Sequence, residues 1–145
     1  MKKLIAITMM AVMGLGASLA MAADYGKQKV AYHVNYKKEK RQIGALRNIQ
    51  NHINAVGKDN LDIRVVMHSG GYTLLERANS DPNMQQKIVS LKKQGVKFNI
   101  CANTLKGKKL NYKNDLFDVD QADIVPSGVA ELAHLQNQGF SYIRP

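Results

Sequence analysis

One cysteine occurs in the chain, Cys101, in the stretch V-K-F-N-I-C-A-N-T-L from Val96 to Leu105. It ends a short β-branched and aromatic run and precedes small polar residues able to open a helix. A lone thiol can be an apolar filler, half of an intermolecular bridge, or a reactive group, but not half of an internal disulfide. Reactivity belongs to the thiolate, which neighbouring cations or a helix N-terminus stabilise. Two histidines share the same kind of position: His33 lies near the end of K-V-A-Y-H-V-N, and His68 closes L-D-I-R-V-V-M. Imidazole exchanges protons near neutral pH and, with thiolate, ligates Zn or Cu. No C-x-x-C or H-x-x-x-H spacing accompanies these residues, and G-x-G-x-x-G after the first strand, Walker A and G-x-S-x-G are all absent. The motifs therefore predict neither a cofactor nor a metal centre. His52 and His134 fall within helical patterns and read as structural or exposed.

The elements that must position these groups alternate strand and helix. Lys29 to Asn35 reads as a strand, followed by a charged loop and a helical stripe of Ile43, Leu46, Ile49, Ile53 and Val56, which Gly57 stops. Leu61 to Met67 is a second strand, closed by His68-Ser69-Gly70-Gly71. Asp81 before Pro82 is an N-cap with proline at the first helical position, opening a helix with Met84, Ile88 and Leu91 on its apolar face. Val96 to Cys101 is the third strand and Ile124-Val125 a short fourth. Ser127 caps a helix carrying Val129, Leu132, Ala133 and Leu135, and Phe140 to Ile143 is the last strand.

Such alternation predicts parallel βαβ units in a three-layer α/β/α domain with a mainly parallel five-stranded sheet, in the flavodoxin-like order 2-1-3-4-5. Ligands of open α/β sheets bind outside the carboxyl ends of the strands, at the switch point of the topology. In that order the switch point falls between strands 1 and 3, where Cys101 ends. His33 and His68 would share its rim, with two basic loops: Lys37, Lys38, Lys40 and Arg41 after strand 1, and Lys106, Lys108 and Lys109 after strand 3. These cations predict a thiol held largely as thiolate.

The first residues set the compartment. Lys2 and Lys3, the apolar run Leu4 to Leu15, and Ala20-Met21-Ala22 have the layout of a signal peptide over residues 1–22, which predicts export to a periplasm and no stable membrane insertion after cleavage. The whole chain of 145 residues carries a net charge of +10. Residues 23–145 form one domain long enough for a core, still strongly basic without Lys2 and Lys3. A basic surface suits nucleic acid, anionic lipid or small anions, and export argues against nucleic acid.

V-A-Y-H-V-N in strand 1, V-V-M-H-S-G-G-Y-T-L-L after strand 2, V-K-F-N-I-C-A-N-T-L around the cysteine and V-P-S-G-V-A-E-L-A-H-L-Q-N-Q-G-F-S-Y-I-R-P at the end resemble the DsrE/DsrF-like family, in an exported YchN-like branch. The resemblance spans nearly all of the chain after residue 22. It implies an α/β fold, self-association (trimer or hexamer over dimer) and, as in sulfur-relay members, a cysteine that carries sulfur as a persulfide. The matching position is Cys101. Tyr72, Leu74 and Leu75 are an apolar stretch that can pack against a neighbouring copy.

The expectation is a sulfurtransferase or sulfur carrier working through Cys101. His33, Asn35, His68, Gly70, Gly71, Asn103, Thr104 and Lys106 are its candidate substrate-binding residues, and a small anionic sulfur donor or an acceptor thiol is its partner. The alternative is a non-catalytic module that binds a small ligand or metal through His33, His68 and Cys101.

Overall fold

A computed structural model describes residues 25–145, and the signal-peptide reading lies outside the described residues. Five strands form one fully parallel sheet: β1 Gln28–Val34, β2 Leu61–Met67, β3 Lys97–Cys101, β4 Ile124–Val125 and β5 Ser141–Ile143. The helices are α1 Glu39–Val56, α2 Thr73–Ala78, α3 Pro82–Lys93, α4 Ala102–Lys108, α5 Tyr112–Asp115 and α6 Gly128–Asn137. The expected fold class and five parallel strands are present.

The strand order is β4-β3-β2-β1-β5, not 2-1-3-4-5, so β2 rather than β1 lies beside β3. The connections explain the difference. The first three crossovers each step one strand in the same direction, and right-handedness then puts all their helices on one face. Only the β4 to β5 connection returns across the sheet, and it carries α6 over the other face.

Alternation along the strands divides the core accordingly. Val30, Tyr32 and Val34 of β1, with Ile63, Val65 and Met67 of β2, pack in one cluster with Leu46 and Ile49 of α1 and Ile88 and Leu91 of α3. Ala31 and Val66 face the other way and meet Leu132 and Leu135 of α6, with Phe140. Leu74 and Leu75 are buried in the larger cluster. The expectation that they meet a neighbouring copy is therefore corrected, because filling this core takes their whole apolar surface.

Local signals set several boundaries. The Asp81 side chain accepts from the Asn83 and Met84 N–H groups to start α3 behind Pro82, and Ser127 Oγ accepts from Ala130 N–H at 3.4 Å to start α6. Fully buried Gln42 ties the first loop to α2: its Nε2 donates to Tyr36 O at 2.7 Å and Thr73 Oγ1 at 3.0 Å, and its Oε1 accepts from Arg77. Thr73 Oγ1 in turn donates to Gly70 O at 2.9 Å, which sets the turn after His68.

Candidate functional site

The chain leaves β3 toward α4 on one face and β4 toward α6 on the other, so the switch point lies between the carboxyl ends of β3 and β4. Cys101 is the last residue of β3 and pairs with Val125 of β4. It therefore stands at a switch point, though not the one expected between strands 1 and 3.

Cys101 is free and only 5% exposed. Burial pushes the thiol's pKa up, but nearby polar groups, the backbone N–H of Gly128, the N–H and hydroxyl of Thr104 and the N–H of Asn103, favour the thiolate, and the net direction is down. Donors to the charged form stabilise it. The expected source of this effect, the lysine loops, is replaced by these fixed dipoles: Lys106, Lys108 and Lys109 are exposed, and solvent screens such charges strongly.

The histidines form a second arrangement on the α6 face. His33 Nε2 and His68 Nε2 are 2.7 Å apart, with ring centroids at 4.7 Å. His33 Nδ1 meets Tyr142 Oη at 2.7 Å, and His68 Nδ1 meets Ser69 Oγ at 3.1 Å. A contact between two Nε2 atoms holds one proton, so in the neutral pair one ring is the Nε2–H tautomer and the other the Nδ1–H tautomer. The line can thus run in either direction with every ring nitrogen satisfied. His33 is lowered to about 4 by burial, then by His68 and Arg144; His68 is lowered by burial and Arg144. The pair is neutral at neutral pH.

Glycines admit these close approaches. A Cβ on Gly128 would lie 2.9 Å from His68 Cβ and 3.3 Å from Cys101 Cβ, so the start of α6 rests directly on both residues. We expect Gly128→Ala to lose about 1 kcal/mol of stability and to slow thiolate reactions of Cys101, since the start of α6, whose Gly128 N–H favours the thiolate, must shift away from it. Melting temperature and alkylation rate check this; an unchanged rate with an intact fold refutes it.

The structure places the other candidates unevenly. Asn103 and Thr104 follow the thiol at the start of α4, where the N–H of each and the Thr104 hydroxyl favour its charged form. Gly70 and Gly71 are buried against the chain leaving β1, and Lys106 is exposed. Asn35 Oδ1 accepts from Arg144 Nε at 3.2 Å and Nη2 at 3.0 Å, which fixes the guanidinium beside the histidines. The site reading from residue types omitted Arg144, Tyr142 and Gly128. Their only signal was their presence in the C-terminal segment that carries the resemblance. It also omitted Asn99, on the same face of β3 as Cys101, whose buried Oδ1 has no hydrogen-bond partner among the described residues.

Among the described residues no group of three or more His, Cys, Asp or Glu side chains is placed to hold a metal ion, so the metal-binding alternative lacks a ligand set. A groove of about 450 Å³ runs between α1 and α3, on the face of the sheet opposite α6. Within the described residues no helix is long and apolar enough to cross a membrane.

Similar proteins agree with this architecture. A protein of unknown function from Methanobacterium thermoautotrophicum superposes with a TM-score of 0.70 at 31% identity, over 82% of this chain and 100% of that one. The ychN protein from E. coli superposes with a TM-score of 0.62 at 21% identity, over 81% of this chain and 99% of that one, a likeness of fold. No curated protein matches the sequence. The profile of the DsrE/DsrF-like family matches residues 28–145, from the start of β1 to the last residue, and the chain belongs to that family.

Proposed function

We propose that this protein carries sulfane sulfur as a persulfide on Cys101, in the periplasm. The observation that carries the reading is the place of Cys101, at the carboxyl end of β3 beside β4 where the sheet's connections part to opposite faces, in polar surroundings that lower the thiol's pKa although burial raises it. Family membership points to sulfur-relay work in general. The Lys-led apolar sequence at the N-terminus supports export.

In loading, the Cys101 thiolate attacks the sulfane sulfur of a polysulfide or thiosulfate. An S–S bond forms at Cys101, the bond from the sulfane sulfur to its former partner breaks, and the electron pair leaves with that partner. An acceptor thiolate reverses the sequence by taking the outer sulfur, and no outside oxidant or reductant is needed. The fixed N–H donors around sulfur favour the anionic form that attacks.

Intact mass after incubation with polysulfide is the test. The wild type is expected to gain about 32 Da and Cys101→Ser to gain nothing. No gain on the wild type, or an equal gain on Cys101→Ser, overturns the proposal. Self-association, which the family resemblance implies, belongs to the same proposal, and light scattering of the same sample reads it.

A further inference from the structure

Strand register aligns three residues of the site along the carboxyl edge of the sheet. Val34 pairs with Met67 and Met67 with Ile100, so these three form one row, and the residues that follow them, Asn35, His68 and Cys101, form the next. Val34, Met67 and Ile100 point into the larger core. Alternation turns the next row toward the α6 face, where Gly128 rests on His68 and Cys101. Arg144 reaches the Asn35 end of this row. It follows Tyr142 by two positions, as Asn35 follows His33, so the contact of Tyr142 with His33 is repeated one step outward by Arg144 with Asn35.

Asn35 is a neutral partner. Its Oδ1 accepts from Arg144 Nε at 3.2 Å and Nη2 at 3.0 Å, which orients the guanidinium plane without cancelling its charge. Arg144 makes no ion pair among the described residues, although Lys58, Arg64 and Lys92 do. Burial is the main cause of the lowered pKa of His33 and of His68, and the Arg144 charge adds to it. The imidazole in the middle of the row is therefore neutral, and the guanidinium supplies the row's positive charge. A planar fork of N–H donors fits an oxyanion through two parallel bonds.

We propose that Arg144 selects an oxyanion-bearing sulfur donor for Cys101, with Asn35 as its positioning residue and the donor lying along the row over His68. The proposal rests on Cys101 as the reactive group and names the class of its donor. Two strand spacings, about 10 Å, separate the ends of the row. A sulfane sulfur about 3.5 Å from the attacking thiolate, an S–S bond of about 2 Å and a hydrogen bond of about 2.9 Å to the oxyanion cover most of that span for thiosulfate. As the S–S bond of thiosulfate breaks, its electron pair leaves with the oxygen-bearing end as sulfite, and the new S–S bond stays on Cys101. Negative charge grows at the end that Arg144 holds, so the fork favours the transition state over the bound donor. A polysulfide offers the fork no oxygens.

Thiosulfate is the probe. Persulfide formation, read as intact mass against time and thiosulfate concentration, is expected to slow at least about tenfold in Arg144→Gln. Arg144→Lys keeps the charge but not the fork and is expected to stay at least about threefold slow. Asn35→Ala frees the guanidinium and is expected to act in the same direction but less. Alkylation by iodoacetamide, a neutral reagent, is expected to keep its wild-type rate in all three, because the groups that favour the thiolate belong to Gly128, Thr104 and Asn103. Binding is read without chemistry in Cys101→Ser, where calorimetry with thiosulfate is expected to show at least about tenfold weaker binding once Arg144→Gln is added.

Equal loading of wild type and Arg144→Gln, or equal binding by Cys101→Ser with and without Arg144→Gln, overturns the site. A fall in alkylation that matches the fall in loading also overturns it, since the thiol rather than recognition of the donor has then changed. Arg144-dependent binding with no gain of mass on the wild type keeps the site and removes the persulfide role.

Discussion

Gly71→Ala is expected to abolish stable folding. A Cβ at this position would sit 1.9 Å from Val34 O, 2.8 Å from Val34 C and 3.4 Å from Asn35 Cα, all backbone atoms at the end of β1. Val34 pairs with Met67, so moving it aside breaks the top of the β1–β2 ladder on which His33 and His68 stand. No side-chain rotation relieves the contact, and the expected loss is more than about 4 kcal/mol, much of the stability of a domain this size. Gly44 is the matched control: it lies within α1 with nothing within 4 Å of an added Cβ, and Gly44→Ala is expected to gain up to about 1 kcal/mol from helix propensity. Thermal and denaturant unfolding of the two variants check the pair. A Gly71→Ala protein that melts within a few degrees of wild type shows that the turn after His68 is looser than its packing indicates.

Acid is expected to destabilise the protein through the histidine pair. His33 is lowered from 6.5 to about 4, first by burial, then by the nearby His68 and Arg144. A histidine whose folded pKa lies below its unfolded value stabilises the native state fully above the unfolded value, and that contribution falls as protons bind the unfolded chain preferentially. The loss begins as pH drops through 6.5 and is complete near 4. Its size is on the order of 2 kcal/mol, because the two rings share one proton and respond together. Carboxylates titrate at the lower end of this window, so the diagnostic quantity is the difference between wild type and His33→Gln. Urea unfolding across the window should show His33→Gln less stable near neutrality but with a flatter profile. Arg144→Gln should also shrink the acid loss, since removing its charge lets both histidines protonate more easily in the folded state. Parallel profiles for wild type and His33→Gln would remove the histidine account.

The amino-acid sequence alone determined the elements whose signals are local. β2 is Leu61–Met67 and β4 Ile124–Val125, as read from their β-branched runs. Asp81-Pro82 and Ser127 open α3 and α6 because capping needs only a side-chain oxygen and the next three N–H groups. Cys101 at the end of a strand, with His33 and His68 at the ends of two others, was equally legible, since period-two alternation and turn residues mark where strands stop. Boundaries slipped by one residue at β1, β3 and β5, where Asn35, Val96 and Phe140 pack or bond outside the ladder.

Tertiary structure decided what depends on groups distant along the chain. Periodicity reports that five strands exist but is the same for every order in which they pair, so β4-β3-β2-β1-β5 emerged only from how the helices divide between the two faces. That division places α6 over Cys101 and His68 and packs Gly128 against a cysteine 27 positions earlier. It likewise joins His33 to Tyr142 and Asn35 to Arg144 through the pairing of β1 with β5 at the edge of the sheet. Composition pointed to lysine charge as the stabiliser of the thiolate. The fold sets N–H and O–H groups of Gly128, Asn103 and Thr104 near the thiol instead, and a buried sulfur responds to nearby fixed dipoles far more than to mobile charges in water.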